Sequence, residues 1–207
     1  MPLPFFATAE NHNTPRAASR PAALEYVHYA LILSVLVPGI PFIHNGFELL
    51  ETKPINTGLG FDEDTIRANP AETLPLFSAW AFDWTRADNL AGSIRYALEL
   101  RRRYAALLSD PDPATFTLGH SDNPHLLTFA RHNAEATLFV VANTNAESTE
   151  SGTAYLPVCD CTLQALWGAD TQIQANSAIT LAVTLGPYQV LVLEGGPDFP
   201  QLRTSSA

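Results

Sequence analysis

Apolar residues run without polar alternation from Leu3 to Ala9, and a polar stretch, ENHNTPR at residues 10 to 16, follows at once. A short, continuous apolar run predicts a strand buried on both faces, as in parallel sheets. Pro21 suits a first helical turn, and PAALEYVHYALILSVLV is apolar nearly all round, which predicts a buried helix of about four turns. PGIP ends it, and PFIHNGFEL predicts a second buried strand with a polar C-terminal end. A long loop with Pro54, Gly58, Gly60, Pro70, Trp80 and Trp84 then leads to a helix that Asp88 is expected to cap. Its apolar residues, Leu90, Ile94, Ala97, Leu98, Tyr104, Ala105 and Leu108, recur at helical spacing. Strand, helix, strand, helix implies parallel strands with covering helices.

From residue 110 the period changes. TFTLG, LLTFARH, ATLFVVANT, TAYLPV, TLQALWG, AITLAVTLG and YQVLVLEG are short and rich in β-branched residues, with Gly, Asn, Asp and Pro between them. They predict an antiparallel β-sandwich of seven or eight strands. The expected fold class is therefore α/β followed by all-β, with domains over residues 1–109 and 110–207. Charge supports that boundary: eleven acids face nine bases in the first part, and ten acids face two bases in the second.

Composition narrows the functions open to the chain. With 207 residues, 46% of them hydrophobic, it can bury a real core. A net charge of −10 with eleven Lys and Arg argues against nucleic acid and against anionic membrane surfaces. Arg101, Arg102 and Arg103 fit a solvated helix face. The apolar stretch from Ala30 to Ile43 is too short to span a bilayer. Cys159 and Cys161 are too few for a disulfide framework or a closed zinc site. Reduced thiols, with no leader pattern and no Asn-x-Ser/Thr sequon, point to a cytoplasmic location.

Function in parallel α/β architectures gathers at the carboxyl ends of strands, where loops converge on one rim. Asn11, His12, Asn13 and Arg16 follow the first predicted strand, and His44, Asn45 and Glu48 lie at the end of the second. Convergent polar groups of this kind suit a hydroxyl-rich ligand. Other groupings carry less. Glu48 and Glu51 sit on a loop with no fixed separation, capping accounts for Asp88 in Arg86-Ala87-Asp88, and Ser34, His28 and Glu25 share one helix without a nucleophile elbow.

AENHNTPR resembles the fourth conserved region of the α-amylase family of glycoside hydrolases, where strand seven of the barrel ends in Asn-His-Asp. PGIPFIHNGFELLETKPINTGLGF resembles that family's passage from helix seven into strand eight, LFSAWAFDW its approach to the last barrel helix, and LGPYQVLVLEGG the closing strand of its C-terminal sandwich. The four segments occur in family order and extend over essentially the whole chain. The resemblance implies the last two β/α units of a (β/α)8 barrel followed by the C-terminal sandwich.

It also implies a retaining mechanism on α-linked glucans, with one carboxylate as nucleophile and a second carboxyl group as acid. In the family these come from strands four and five, and no segment here matches those strands. Asn13 stands where the family places a third acid, the transition-state stabiliser. His12 matches the histidine that binds the sugar at the cleaved position, with Asn11 and Arg16 flanking it; Glu48 matches a family acid at the rim, and His44, expected beside it among the substrate contacts, departs from the Tyr the family often has near that place. The implied ligand is an α-glucan or maltooligosaccharide, and the implied partner is the remainder of the barrel. The alternative is a non-catalytic glucan-binding or partner subunit of the same descent. No cofactor is expected; calcium is common in the family, but its usual ligands lie mainly outside this stretch.

Overall fold

The computed structural model describes residues 5–77, 82–155, 162–168, 172–174 and 180–195. Cys159, Cys161 and Trp80 lie outside the described residues. The chain divides into two compact units. The α/β unit holds residues 5–35 and 39–100; the β unit holds 36–38 and the chain from Arg101 onward.

In the α/β unit, β1 (Phe6–Ala7) pairs in parallel with β2 (Ile40–Pro41), Phe6 opposite Ile40 and Ala7 opposite Pro41. Between them runs α1 (Ala23–Leu36). Pro21 stays outside this helix, which opens after Ala22 in a left-handed conformation at φ 49°. Val27, Leu31, Ile32 and Val35 are buried.

The strands are shorter than their apolar runs, and the expected burial on both faces does not hold. Phe5 is 56% exposed, Phe6 67%, Ile40 46% and Phe42 42%. The cause is topological: β1 and β2 form a two-stranded sheet among the described residues, too narrow for the layers that cover both faces of a larger parallel sheet.

The long loop contains α2 (Glu63–Ala68), capped by the Asp62 carboxylate accepting from Thr65 N at 2.6 Å. Helix α3 (Ala91–Arg103) follows, then α4 (Ala105–Leu108). Asp88 does not cap α3. Its carboxylate is held by Arg86 at 2.7 Å, and Asn89 Oδ1 accepts the Ala91 N–H at 3.0 Å in its place.

The β unit contains nine strands among the described residues. A six-stranded antiparallel sheet has the order β3 (Phe116–Leu118), β5 (Leu126–His132), β6 (Thr137–Asn143), β11 (Val190–Gly195), β8 (Thr162–Trp167) and β9 (Gln172–Gln174). A three-stranded antiparallel sheet has the order β10 (Thr180–Leu185), β7 (Glu150–Tyr155) and β4 (His120–Ser121). Leu126, Phe139, Val141, Leu163, Leu191 and Leu193 of the first share one core with Ala154, Leu181, Val183 and Leu185 of the second.

Strand patterns explain the layering. β6 is buried along its whole length, as a central strand must be, whereas β10 alternates, with Leu181, Val183 and Leu185 inward and Ala182 and Thr184 outward. Asn143, fully buried at the end of β6, donates to the carbonyls of Ser148, Leu185 and Gly186 and accepts from Asn145 N. It thereby pins the turn into β7. Among the described residues no helix is long and apolar enough to cross a membrane.

Candidate functional site

The segment after β1 is shaped by its own side chains. Asn11 Oδ1 accepts from Asn13 N at 2.8 Å, and Asn11 N donates to Thr14 Oγ1 at 3.0 Å, which folds residues 11–14 into a tight turn. The turn leaves His12 exposed and Asn13 half-buried.

Asn13 uses both ends of its amide within the chain. Its Nδ2 donates to His12 Nε2 at 3.1 Å, and its Oδ1 accepts from Asn56 Nδ2 at 3.0 Å. An amide donor makes Nε2 of His12 the acceptor, so the neutral ring carries its proton on Nδ1. The loop beyond Asn56 closes over the same residue. Leu59 N donates to Asn13 O, and a Cβ on Gly58 would lie 2.8 Å from Asn13 Oδ1.

Beneath this turn lies a charged cluster that includes a residue the sequence did not single out, Glu10. It is 3% exposed; its Oε1 accepts from Arg16 Nη1 at 2.6 Å and its Oε2 from Ala17 N at 2.6 Å. Arg16, expected among the substrate contacts, is 1% exposed. Its Nε donates to Lys53 O at 3.1 Å, and its Nη1 also meets Asn45 O at 2.9 Å and His44 Nδ1 at 3.1 Å. Two charges out of water need such close pairing. The guanidinium thus ties the end of β1 to the end of β2.

His44 keeps 13% side-chain exposure and lies beside the Phe42 ring, with centroids 6.1 Å apart. Glu48 is half-buried, and its Oε2 accepts from Gly46 N at 3.0 Å. Gly46 sits at φ 91°, and an added Cβ would meet Arg16 Nη2 and Phe82 at 2.9 Å. Only glycine fits there, on conformational and steric grounds alike. The structure therefore brings Asn11, His12 and Asn13 together in one turn, and His44 together with Arg16 across the two strand ends.

The other groupings behave structurally. Ser34 Oγ donates to Leu31 O at 2.8 Å, while His28 Nε2 meets Ser93 Oγ at 2.9 Å. Burial lowers the pKa of His28 below 6.5, against a hydrogen bond from the ring to the Leu24 backbone carbonyl and the charge of Glu25. Glu51 lies 3.8 Å from Arg86. Among the described residues no group of three or more His, Cys, Asp or Glu is placed to hold a metal ion.

Solved structures match the fold across nearly the whole chain. A noncanonic maltogenic α-amylase from Thermotoga neapolitana superposes with a TM-score of 0.66 at 16% identity, covering 91% of this chain and 40% of that one. The fold is that of part of an α-amylase. An α-amylase from Geobacillus thermoleovorans, solved with acarbose, gives a TM-score of 0.65 at 15% identity over 93% of this chain and 39% of that one. Trehalose-6-phosphate hydrolase from Bacillus licheniformis gives 0.60 at 18% identity, over 92% and 43%. The chain thus spans about two fifths of the α-amylase structures it matches. No family model and no curated protein matches the sequence.

Proposed function

We propose that this chain is the C-terminal portion of an α-glucan-acting glycoside hydrolase or glucanotransferase: two β/α units of a (β/α)8 barrel followed by the C-terminal β-sandwich. The observation that carries the proposal is the pair of polar clusters at the carboxyl ends of two adjacent parallel strands, in a fold shared with α-amylases over more than nine tenths of this chain. His12, Asn11, His44 and Glu48 would meet sugar hydroxyls; Arg16 would act from beneath them. One α-amylase in the comparison is solved with acarbose and another protein of this fold with maltotriose, which supports an α-glucan ligand here.

Asn13 would occupy the place of the transition-state stabiliser. It can accept a hydrogen bond but brings no negative charge as the sugar becomes cationic. Loss of one such stabiliser costs on the order of 10² to 10³ in rate. The nucleophile and acid would come from other strands, supplied by a polypeptide that pairs with β1 and β2 and covers Phe5, Phe6, Ile40 and Phe42. By itself the chain would be inactive.

The test is to join or co-express the chain with a strand-one-to-six portion of a related barrel and assay maltooligosaccharide cleavage, comparing Asn13 with Asn13→Asp. A gain of about 10² or more for the aspartate supports the stabiliser role; equal rates in a folded, sugar-binding assembly remove it. A second reading, a non-catalytic glucan-binding or partner subunit, is favoured by Asn13 having both amide ends engaged within the chain. Calorimetric binding of maltotriose together with no gain in rate from Asn13→Asp would select it.

A further inference from the structure

The cluster of Glu10, Arg16 and His44 fixes where one proton sits. A neutral imidazole carries its hydrogen on Nδ1 or on Nε2, and the two forms offer opposite hydrogen-bonding faces. His44 Nδ1 lies 3.1 Å from Arg16 Nη1, and a guanidinium has only hydrogens to offer. A hydrogen on Nδ1 would oppose donor to donor in a buried place, whereas a lone pair there completes a bond. Glu10 Oε1 does not offer that hydrogen an alternative, because it is 3.8 Å away.

Arg16 cannot turn away from this task. Its Nη1 is drawn to Glu10 Oε1 at 2.6 Å and to Asn45 O at 2.9 Å, and its Nε to Lys53 O. Glu10 is itself anchored through Oε2 by the Ala17 N–H. The two hydrogens of Nη1 are shared among three acceptors, the Glu10 carboxylate, the Asn45 carbonyl and the imidazole, and the carboxylate, nearest of the three, orients the fork.

We propose that Glu10 and Arg16 are positioning residues that keep the His44 hydrogen on Nε2, so that the β2 end of the rim presents a hydrogen-bond donor to an acceptor oxygen of the ligand. His12 is set the other way, with Nε2 accepting from Asn13. Each ring thus has its acceptor nitrogen engaged within the chain and keeps its N–H, on Nδ1 in His12 and on Nε2 in His44, to donate to an oxygen of the ligand. Naming a glucan hydroxyl as that ligand group rests on the function proposed above; the proton position does not.

Long-range proton–nitrogen correlation spectra of the full chain, labelled with ¹⁵N-histidine, report the protonated nitrogen of every ring, and His44→Gln assigns the His44 signals. The expected result is a hydrogen on Nε2 in the unaltered chain, with Glu10→Gln moving the ratio toward Nδ1 by tenfold or more. A hydrogen on Nδ1 in the unaltered chain overturns the proposal without recourse to any variant, and an unchanged ratio in folded Glu10→Gln overturns the role of Glu10. Maltotriose should shift the His44 signals. If the hydrogen is on Nε2 but maltotriose moves neither His12 nor His44, the positioning stands and the glucan assignment falls.

Discussion

Among the described residues each unit buries one arginine, and the two charges are accommodated in different ways. In the α/β unit Arg16 faces a carboxylate, Glu10, at 2.6 Å. In the β unit Arg131, fully buried on β5, has no ion pair among the described residues. It donates instead to the carbonyls of Thr115, Leu36 and Leu107, the last in α4, and to Thr115 Oγ1. Burial without a counter-charge lowers the Arg131 pKa to about 10, with Arg101 adding to the effect and Asp110 opposing it. Carbonyl dipoles solvate a cation the way water does, which suits a structural staple. A paired carboxylate does something else: it gives the cation a fixed orientation, which suits a site.

Removing the cations should expose that difference. Arg16→Met leaves Glu10 buried with only the Ala17 N–H, and a single uncompensated charge of that kind costs about 3 to 5 kcal/mol, measured by urea unfolding. Adding Glu10→Leu should recover most of the loss, because a buried pair replaced by apolar groups is often neutral. A double variant as unstable as Arg16→Met alone would break the comparison. Arg131→Met strands several buried acceptors and should cost about 2 to 4 kcal/mol. Lacking a single partner, it should find no one-residue rescue.

Gly46→Ala tests the same cluster from the other side. It adds a methyl group against Arg16 Nη2 at a left-handed residue, so about 1 to 3 kcal/mol should be lost, along with the His44 signal position. Smallest is a pH effect shared by both units. His28 and His132 each have a pKa lowered below 6.5, chiefly by burial. The unfolded chain therefore binds protons more readily, and stability present above the unfolded value declines as pH falls through 6.5 toward the folded values. His28→Gln should flatten the urea midpoint against pH between 7 and 5; an unchanged slope would remove His28 from the account.

Much of the β unit is legible in its sequence because fully buried strands announce themselves. LLTFARH and ATLFVVANT coincide with β5 and β6 to within two residues. The short pairings of β4 and β9 carry no such pattern and depend on their neighbours. Three features of the α/β unit illustrate what sequence conceals. Glu10 reads as a solvated end of a strand, and only the fold of residues 11–16 returns Arg16 to cover it. Asp88 has a capping residue's chemistry, yet Arg86 two residues earlier captures it. Phe5 and Phe6 are as apolar as core residues, but burial belongs to the surroundings, and β1 has β2 alone beside it among the described residues. His12 and Asn13 are visible as a site from their position after a strand; their orientation is set by Asn56, 43 residues on.

The aromatic faces of β1 and β2 bear on cellular abundance. Among the described residues β1 and β2 form a sheet of two strands, with Phe5, Phe6, Ile40 and Phe42 exposed beside it, and an uncovered strand edge is a template for further pairing. Such a surface pairs as readily with another copy of itself as with further barrel strands. Copies in which it stays uncovered would be clients of chaperones and proteases, which would lower the folded pool.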